Sequence, residues 1–202
     1  KRLQRYTREA QLPPGKPLSQ FDFSVVEGIN KNQLIALADQ QQWVNQAENV
    51  LLFGASGVGK THLACGIGYA LLAQGVRVKF TSATHLAQSL QQAKAALVLT
   101  DVLARMDKYT VLIIDDIGYV KKSSQETQVL FELIAHRYET GSLIITSNQP
   151  FSGWDQIFDD NMMTVAAIDR LVHHATILEI GGESYRKKAS MMRKEMPIAN
   201  DN

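Results

Sequence analysis

The sequence predicts an α/β fold, a parallel five-stranded sheet flanked by helices on both faces. Three observations predict it. Short runs at 49–53, 76–81, 110–115, 142–147 and 176–180 read as strands, and most are apolar throughout, as strands covered on both faces are. Stretches with helical spacing lie between consecutive runs, the alternation that builds a parallel sheet. Turn signals such as Gln74-Gly75, Thr140-Gly141 and Gly181-Gly182 separate the two kinds of element.

In chain order, Leu12 to Pro17 holds three prolines and a glycine and reads as a linker or extended arm. Residues 30–44 have helical spacing, with Leu34, Leu37, Ala38 and Trp43 turned inward. After the strand NVLLF a helix is expected from about Lys60 to Ala73. VRVKFT alternates as a half-buried strand does, and helices follow at about 83–93 and 96–106. Beyond TVLIID, Ser123 or Ser124 can cap a helix running to Glu139. SLIITS is the next strand, then helices near 153–158 and 162–174, the strand TILEI, and a basic terminal helix. This divides the chain into a basic N-terminal arm (1–19), a body (20–182) and a basic C-terminal helix and tail (183–202).

Composition narrows the classes. A chain of 202 residues with 45% apolar and 20% charged residues is one globular domain, not a disordered one. Cys65 has no partner for a disulfide, which suits a reducing cytosol, so a cytoplasmic location is expected. No apolar run reaches the ~18 residues that a membrane span needs, so no membrane partner is expected. The first residue is Lys rather than Met, and further chain N-terminal to it is expected. Charge is uneven along the sequence. Lys1, Arg2, Arg5, Arg8 and Lys16 face only Glu9 within residues 1–17, and Arg186, Lys187, Lys188, Arg193 and Lys194 crowd the other end. Such ends suit a polyanion, or are solvated tails.

The sharpest motif is Gly54-Ala55-Ser56-Gly57-Val58-Gly59-Lys60-Thr61, a complete G-x-x-x-x-G-K-[ST] loop between a buried strand and a helix. Its glycines let successive N–H groups turn inward as an anion nest, and the helix start adds its positive end. Lys60 places a charge on the β/γ-phosphates, and the Thr61 hydroxyl is placed to ligate Mg2+. His62, next on the helix, completes the candidate ATP-binding set. Four fixed positions recur by chance in roughly one chain in a hundred of this length, and the strand–loop–helix setting makes coincidence rarer still.

Asp115 and Asp116 end the apolar strand at the edge where open α/β sheets bind ligands. Asp115 is the candidate to hold the Mg2+ water shell, and Asp116 to polarise an attacking water. Two acids after a strand alone are more often a turn or a helix cap; the upstream phosphate loop changes that. Asn148, at the polar tip of the strand 142–147, could bond the γ-phosphate or that water, although Asn after a strand is most often a turn residue.

These residues resemble the AAA+ ATPases of the DnaA/DnaC-like branch, and more narrowly the IstB family of transposition helpers. The stretches that carry the resemblance are ENVLLFGASGVGKTHLACGIGYALLAQGVRVKFTSA, VLIIDDIGYV, LFELIAHRYETGSLIITSNQPFSGW and DRLVHHATILEIGGESYRKK. The resemblance covers most of residues 20–188. It implies a P-loop AAA+ core, ATP-dependent self-assembly around duplex DNA with little sequence preference, ATP sites at the interfaces of a homo-oligomer, and recruitment or stimulation of an IstA-like transposase. Asn148 would then be the sensor, and Arg170 the arginine finger reaching a neighbour's ATP. Otherwise Arg170 is a helix-surface ion pair with Asp169 or Glu179. Phe21 and Phe23 resemble the segment that passes near adenine in this branch, and equally suit a core anchor. Many AAA+ members have Glu where this chain has Asp116, which reaches about one methylene less far and suggests slow hydrolysis. Neither a separate lid domain nor a DNA-reading module is expected after the terminal helix, and the family's N-terminal helical region is expected to be largely missing.

Lesser features complete the reading. Lys94, Arg105 and Lys108 are candidates for a DNA-facing surface. His173 and His174, taken as neighbours on one helix, are expected to point to different sides and form no metal site. Cys65 and Tyr69 read as core, and Gly66 and Gly68 as permitting close packing on the sheet. A DnaC-like helicase loader is the alternative function. A small-molecule kinase would need a lid segment that is not evident, and an ABC-type ATPase a Ser-Gly-Gly signature that the chain lacks.

Overall fold

Alternation along the strands decides the layers. In β1 (Asn49–Gly54), Leu51 and Phe53 face one side of the sheet while Val50 and Leu52 face the other. The computed structural model describes residues 2–118 and 120–185, and the basic terminal helix expected over 183–202 lies almost wholly outside them. Beyond β1 the strands are β2 (Val78–Ser82), β3 (Val111–Asp115), β4 (Ser142–Ser147) and β5 (Ala175–Ile180). They form one parallel five-stranded sheet, as the sequence predicts, and its strand order is β2-β3-β4-β1-β5.

Each face has its own core. One packs α5 (Ala83–Ala95), α6 (Leu99–Met106), α7 (Ser124–Arg137) and α8 (Asn161–His173) against Leu51, Phe53, Leu112, Ile114, Leu143 and Ile145. Phe151, Trp154 and Phe158, in and after a 3-10 segment at Phe151–Gln156, fill the same core with edge-on ring contacts. The other face holds α1 (Arg2–Ala10), α2 (Lys31–Asp39), α3 (Gln42–Asn45) and α4 (Lys60–Ala73) over Val50, Leu52, Ile113 and Ile144. Register then gathers the functional tips. Ile114 lies opposite Ile145 and Phe53 opposite Ser147, which brings Asp115, Asn148 and Gly54 to one edge.

Several boundaries differ from the sequence reading. The helix expected over 30–44 breaks at Gln40, which is extended (φ −107°, ψ 126°). The break lets Trp43 fold back, and its indole N–H donates to the Leu37 carbonyl at 2.9 Å. The helix expected from 96 starts at Leu99, because Leu97 takes a positive φ of 58°. α7 begins at a capping box, with Ser123 as N-cap and Glu126 reciprocating, and stops at Arg137 rather than Glu139. Its last guanidinium is buried, donating to the carbonyls of Tyr109, Thr110 and Ser142. α1 stands where the sequence reading has a basic arm, and Tyr6 and Ala10, four residues apart, form its buried face.

Candidate functional site

The phosphate loop folds as its sequence requires. Gly59 is the N-cap of α4 at φ 104°, and a Cβ there would meet the Phe21 ring at 2.6 Å, so position 59 tolerates only glycine. Gly54 and Gly57 also have positive φ, at 153° and 87°. Lys60 is 5% exposed, and its Nζ donates to the carbonyls of Gly54 (2.7 Å) and Ala55 (2.8 Å). The lysine therefore closes the loop on itself, with Ser56, Gly57, Val58 and Gly59 lining the cleft outside it.

The carboxylates are wired to this loop by hydroxyls. Thr61 Oγ1 lies 2.9 Å from Asp115 Oδ1, and Thr146 Oγ1 donates to the same oxygen at 2.7 Å. The Thr146 hydroxyl also accepts the Asp116 backbone N–H at 2.8 Å, so one side chain holds both acids. Burial pushes the Asp115 carboxyl above its ordinary pKa, against the opposing pull of the Thr146 hydrogen bond; the Asp116 charge adds to the rise. Asp116 adopts φ 59°, a backbone strained for most residues, which turns its side chain out of this network and into the cleft. Thr61 hydroxyl and Asp115 carboxylate are adjacent hard oxygens beside an anion nest, the donor chemistry that suits Mg2+.

The cleft encloses about 390 Å³. Phe21 lines it, edge-on to His62 at 5.2 Å between ring centroids, whereas Phe23 packs behind Phe21 against the core. His62 lines the cleft too, with its Nε2 3.0 Å from the Pro17 carbonyl. Across the mouth, the Tyr185 N–H donates to the Gly57 carbonyl at 3.1 Å, and Tyr185 faces the cleft. Asn148 stands at the tip of β4, and its Oδ1 is buried without a hydrogen-bond partner. This oxygen lies over Gly118, just past the two acids, where it can accept from a donor.

Arg170 is elsewhere. It sits in the last turn of α8, with Nη1 donating to the Ala166 carbonyl at 2.9 Å, and has no ion pair with Asp169 or Glu179 among the described residues. The end of α8 is tied to the start of β1, where Asn49 N–H donates to the His174 carbonyl and Asn49 Nδ2 to the Leu171 carbonyl. The phosphate loop leaves the far end of the same strand, roughly 17 Å away at 3.3 Å per residue. Arg170 cannot serve its own loop.

The expectation for His173 and His174 is corrected here. His174 has left the helix (φ −134°, ψ 84°), so the two rings come together, with centroids 4.0 Å apart. Glu139 joins them in an exposed cluster whose potential ligand atoms lie within 4.8 Å of one another, and Tyr138 Oη is 2.7 Å from His173 Nδ1. Gly66 and Gly68 also do more than approach the sheet. A Cβ on Gly66 would meet Leu18 at 2.6 Å, and one on Gly68 would meet Ile113 at 2.9 Å and Leu12 at 3.2 Å.

Three residues of the site escaped the sequence reading. Thr146 was legible only as part of an apolar strand. Lys16, by sequence one of the charges of the basic N-terminal arm, lines the cleft. Tyr185 is visible in sequence only as part of a family signature.

Comparison with known proteins agrees with this geometry. Residues 1–193 match the model of a family described as IstB-like ATP binding protein. An insertion sequence ATP-binding protein of Sinorhizobium fredii is 50% identical over 194 residues, covering 96% of this chain and 65% of that protein. The ATP-binding protein of insertion sequence IS21 from Pseudomonas aeruginosa is 40% identical over 199 residues, covering 96% of this chain and 75% of its own length. This chain thus spans about two thirds to three quarters of those relatives. Among solved structures, the DnaC helicase loader shares the fold, with a TM-score of 0.61 at 23% identity over 88% of this chain and 99% of that one. The chain belongs to the family of IstB-like ATP binding proteins.

Proposed function

We propose that this chain is a Mg-ATP hydrolase that assembles on duplex DNA in the cytoplasm and assists an insertion-sequence transposase. The observation that carries the reading is the wired site, in which Lys60, Thr61, Asp115 and Asp116 meet at one sheet edge under a phosphate nest. The nest, the start of α4 and Lys60 bind the phosphates. Thr61 and Asp115 hold Mg2+, which supplies neutralisation of developing phosphate charge. Asp116, turned into the cleft, accepts a proton from water that the Asn148 amide orients. Arg170, too far from its own loop, acts on the ATP of a neighbouring subunit, which makes catalysis depend on assembly. The ATPase body remains residues 20–182, with residues 2–19 packed onto it.

The DNA-facing surface is better supported at the β2 edge than at the trio read from sequence. Arg2, Arg5 and Arg77 surround the Tyr6 ring at 5.1–5.6 Å from its centroid, while Lys79 and Lys108 flank Tyr109 at 5.9 and 4.9 Å. Glu9 is the acid paired with this group, through Arg5 and Arg77. Lys108 thus belongs to a basic surface, Arg105 is exposed on α6, and Lys94 is taken up by Glu132 at 2.6 Å. Cations interleaved with rings, and no recognition helix among the described residues, suit phosphate contacts without sequence reading.

A titration of unrelated duplexes at several salt concentrations, with and without ATP, tests the proposal. It expects ATP-dependent binding, indifferent to sequence, with a log–log salt slope of about −0.9 per phosphate neutralised. Absence of duplex binding under all conditions, with copurification of a replicative helicase, would favour the loader function instead.

A further inference from the structure

Residues 12–21 form a strap that runs antiparallel along α4. Tyr69 Oη donates to the Pro13 carbonyl at 3.0 Å, Leu12 lies on Gly68 and Leu18 on Gly66, His62 meets the Pro17 carbonyl, and Phe21 covers Gly59. Helical glycines at 66 and 68 and the ring over Gly59 leave the strap no room to slide. Pro13, Pro14 and Pro17 hold its backbone, with Gly15 supplying the one left-handed turn (φ 73°) just before Lys16. The position of Lys16 is therefore set before any ligand arrives.

Lys16 is half-buried and lines the cleft together with Lys60, Thr61 and Asp116. It makes no salt bridge or hydrogen bond with any described residue, although two carboxylates stand at the same edge. It shares the cleft wall with Asp116 and with Thr61, whose hydroxyl is bonded to Asp115 at the strand tip. The loop amides account for the inner phosphates, and Lys60 reaches the β/γ oxygens from one side only. A cation on the cleft wall that also carries Asp116 is available to the outer end of a phosphate chain.

We propose that Lys16 is a second phosphate-binding cation of the cleft, contacting the terminal phosphate of ATP and so distinguishing ATP from ADP. This rests on the nucleotide reading of the site.

The test is calorimetric titration with a non-hydrolysable ATP analogue and, separately, with ADP, both with Mg2+, on wild type, Lys16→Ala, Lys16→Gln and Lys16→Arg. Lys16→Ala and Lys16→Gln should weaken the triphosphate about tenfold, the effect of one exposed charge-assisted contact, and leave ADP within about twofold. Lys16→Arg should retain most of the discrimination. Equal weakening of both nucleotides would make Lys16 a structural part of the strap, and no weakening of either would remove it from the site; each result overturns the inference. Lys16→Gln keeps most of the stem, and its unchanged melting temperature separates a lost contact from a loosened strap. Failure of wild type to bind either nucleotide is a different result, one that sinks the nucleotide reading itself.

Discussion

Thr146→Val removes one hydroxyl and two hydrogen bonds at the centre of the site. Thr146 is fully buried, so water cannot replace what is lost. The Asp116 N–H, bonded at 2.8 Å, becomes an unpaired donor, and the Asp115 carboxylate loses its 2.7 Å donor. An orphaned buried group costs about 1–3 kcal/mol, and a bond to a charged group contributes about 1.5–3 kcal/mol, so a loss of about 3 kcal/mol is expected. For a domain of this size each kcal/mol is worth about 2–4 °C, which makes the fall in melting temperature roughly 6–12 °C. The functional consequence has a definite sign. The Thr146 bond is what restrains the burial-driven rise of the Asp115 pKa. Without it the carboxylate is more readily protonated, so Mg-ATP affinity should drop more at pH 6 than at pH 8. Differential scanning calorimetry and nucleotide titration at the two pH values measure both effects, with Thr146→Ser as the variant that keeps the hydroxyl. A melting temperature within about 1 °C of wild type, or equal losses at both pH values, would refute the idea that this hydroxyl organises the two acids.

Other substitutions probe the remaining parts. Lys60→Ala should weaken ATP roughly 100-fold or more, because the buried ammonium that closes the loop is gone; equilibrium titration reads it. Asp116→Asn should keep Mg-ATP binding and slow single-turnover hydrolysis by about 10²–10⁴-fold. Arg170→Ala should bind ATP and lose about 10³-fold or more in turnover, and mixing it with Asp116→Asn should restore activity at the interfaces that pair a working Asp116 with a working Arg170. Cys65 is buried and its thiol is pushed up to about 12 by desolvation. It should therefore ignore a thiol reagent at pH 8 in the native protein and react at once after unfolding.

How much could be read beforehand depended on the range over which each feature is encoded. The phosphate loop, Asp115 and the strand tip at Asn148 are local patterns: a run of backbone requirements followed by one charge, at the end of an apolar strand. They were legible to the residue. The parallel class and two-faced core follow from strands apolar throughout that alternate with helices, whereas strand order, set by long-range pairing, has no local signal. α1 was missed because Arg2, Arg5 and Arg8 made the stretch read as a basic arm, although Tyr6 and Ala10, four residues apart, share its buried face. Lys16, Thr146 and Tyr185 depend on what packs beside them: the strap on α4, the β3–β4 register, and the return of the chain over Gly57. The His173–His174 pair went wrong for a local reason, since one residue past a helix end reverses the direction of a side chain.

The central claim is that nucleotide and duplex together drive this ATPase into an assembly. Electron microscopy of the wild-type protein with Mg-ATP, with and without duplex DNA, tests it most directly. The account predicts ordered oligomers on DNA in ATP, few in ADP, and none for Lys60→Ala. Monomers on DNA in saturating ATP, or the same oligomers in Lys60→Ala without nucleotide, would contradict it.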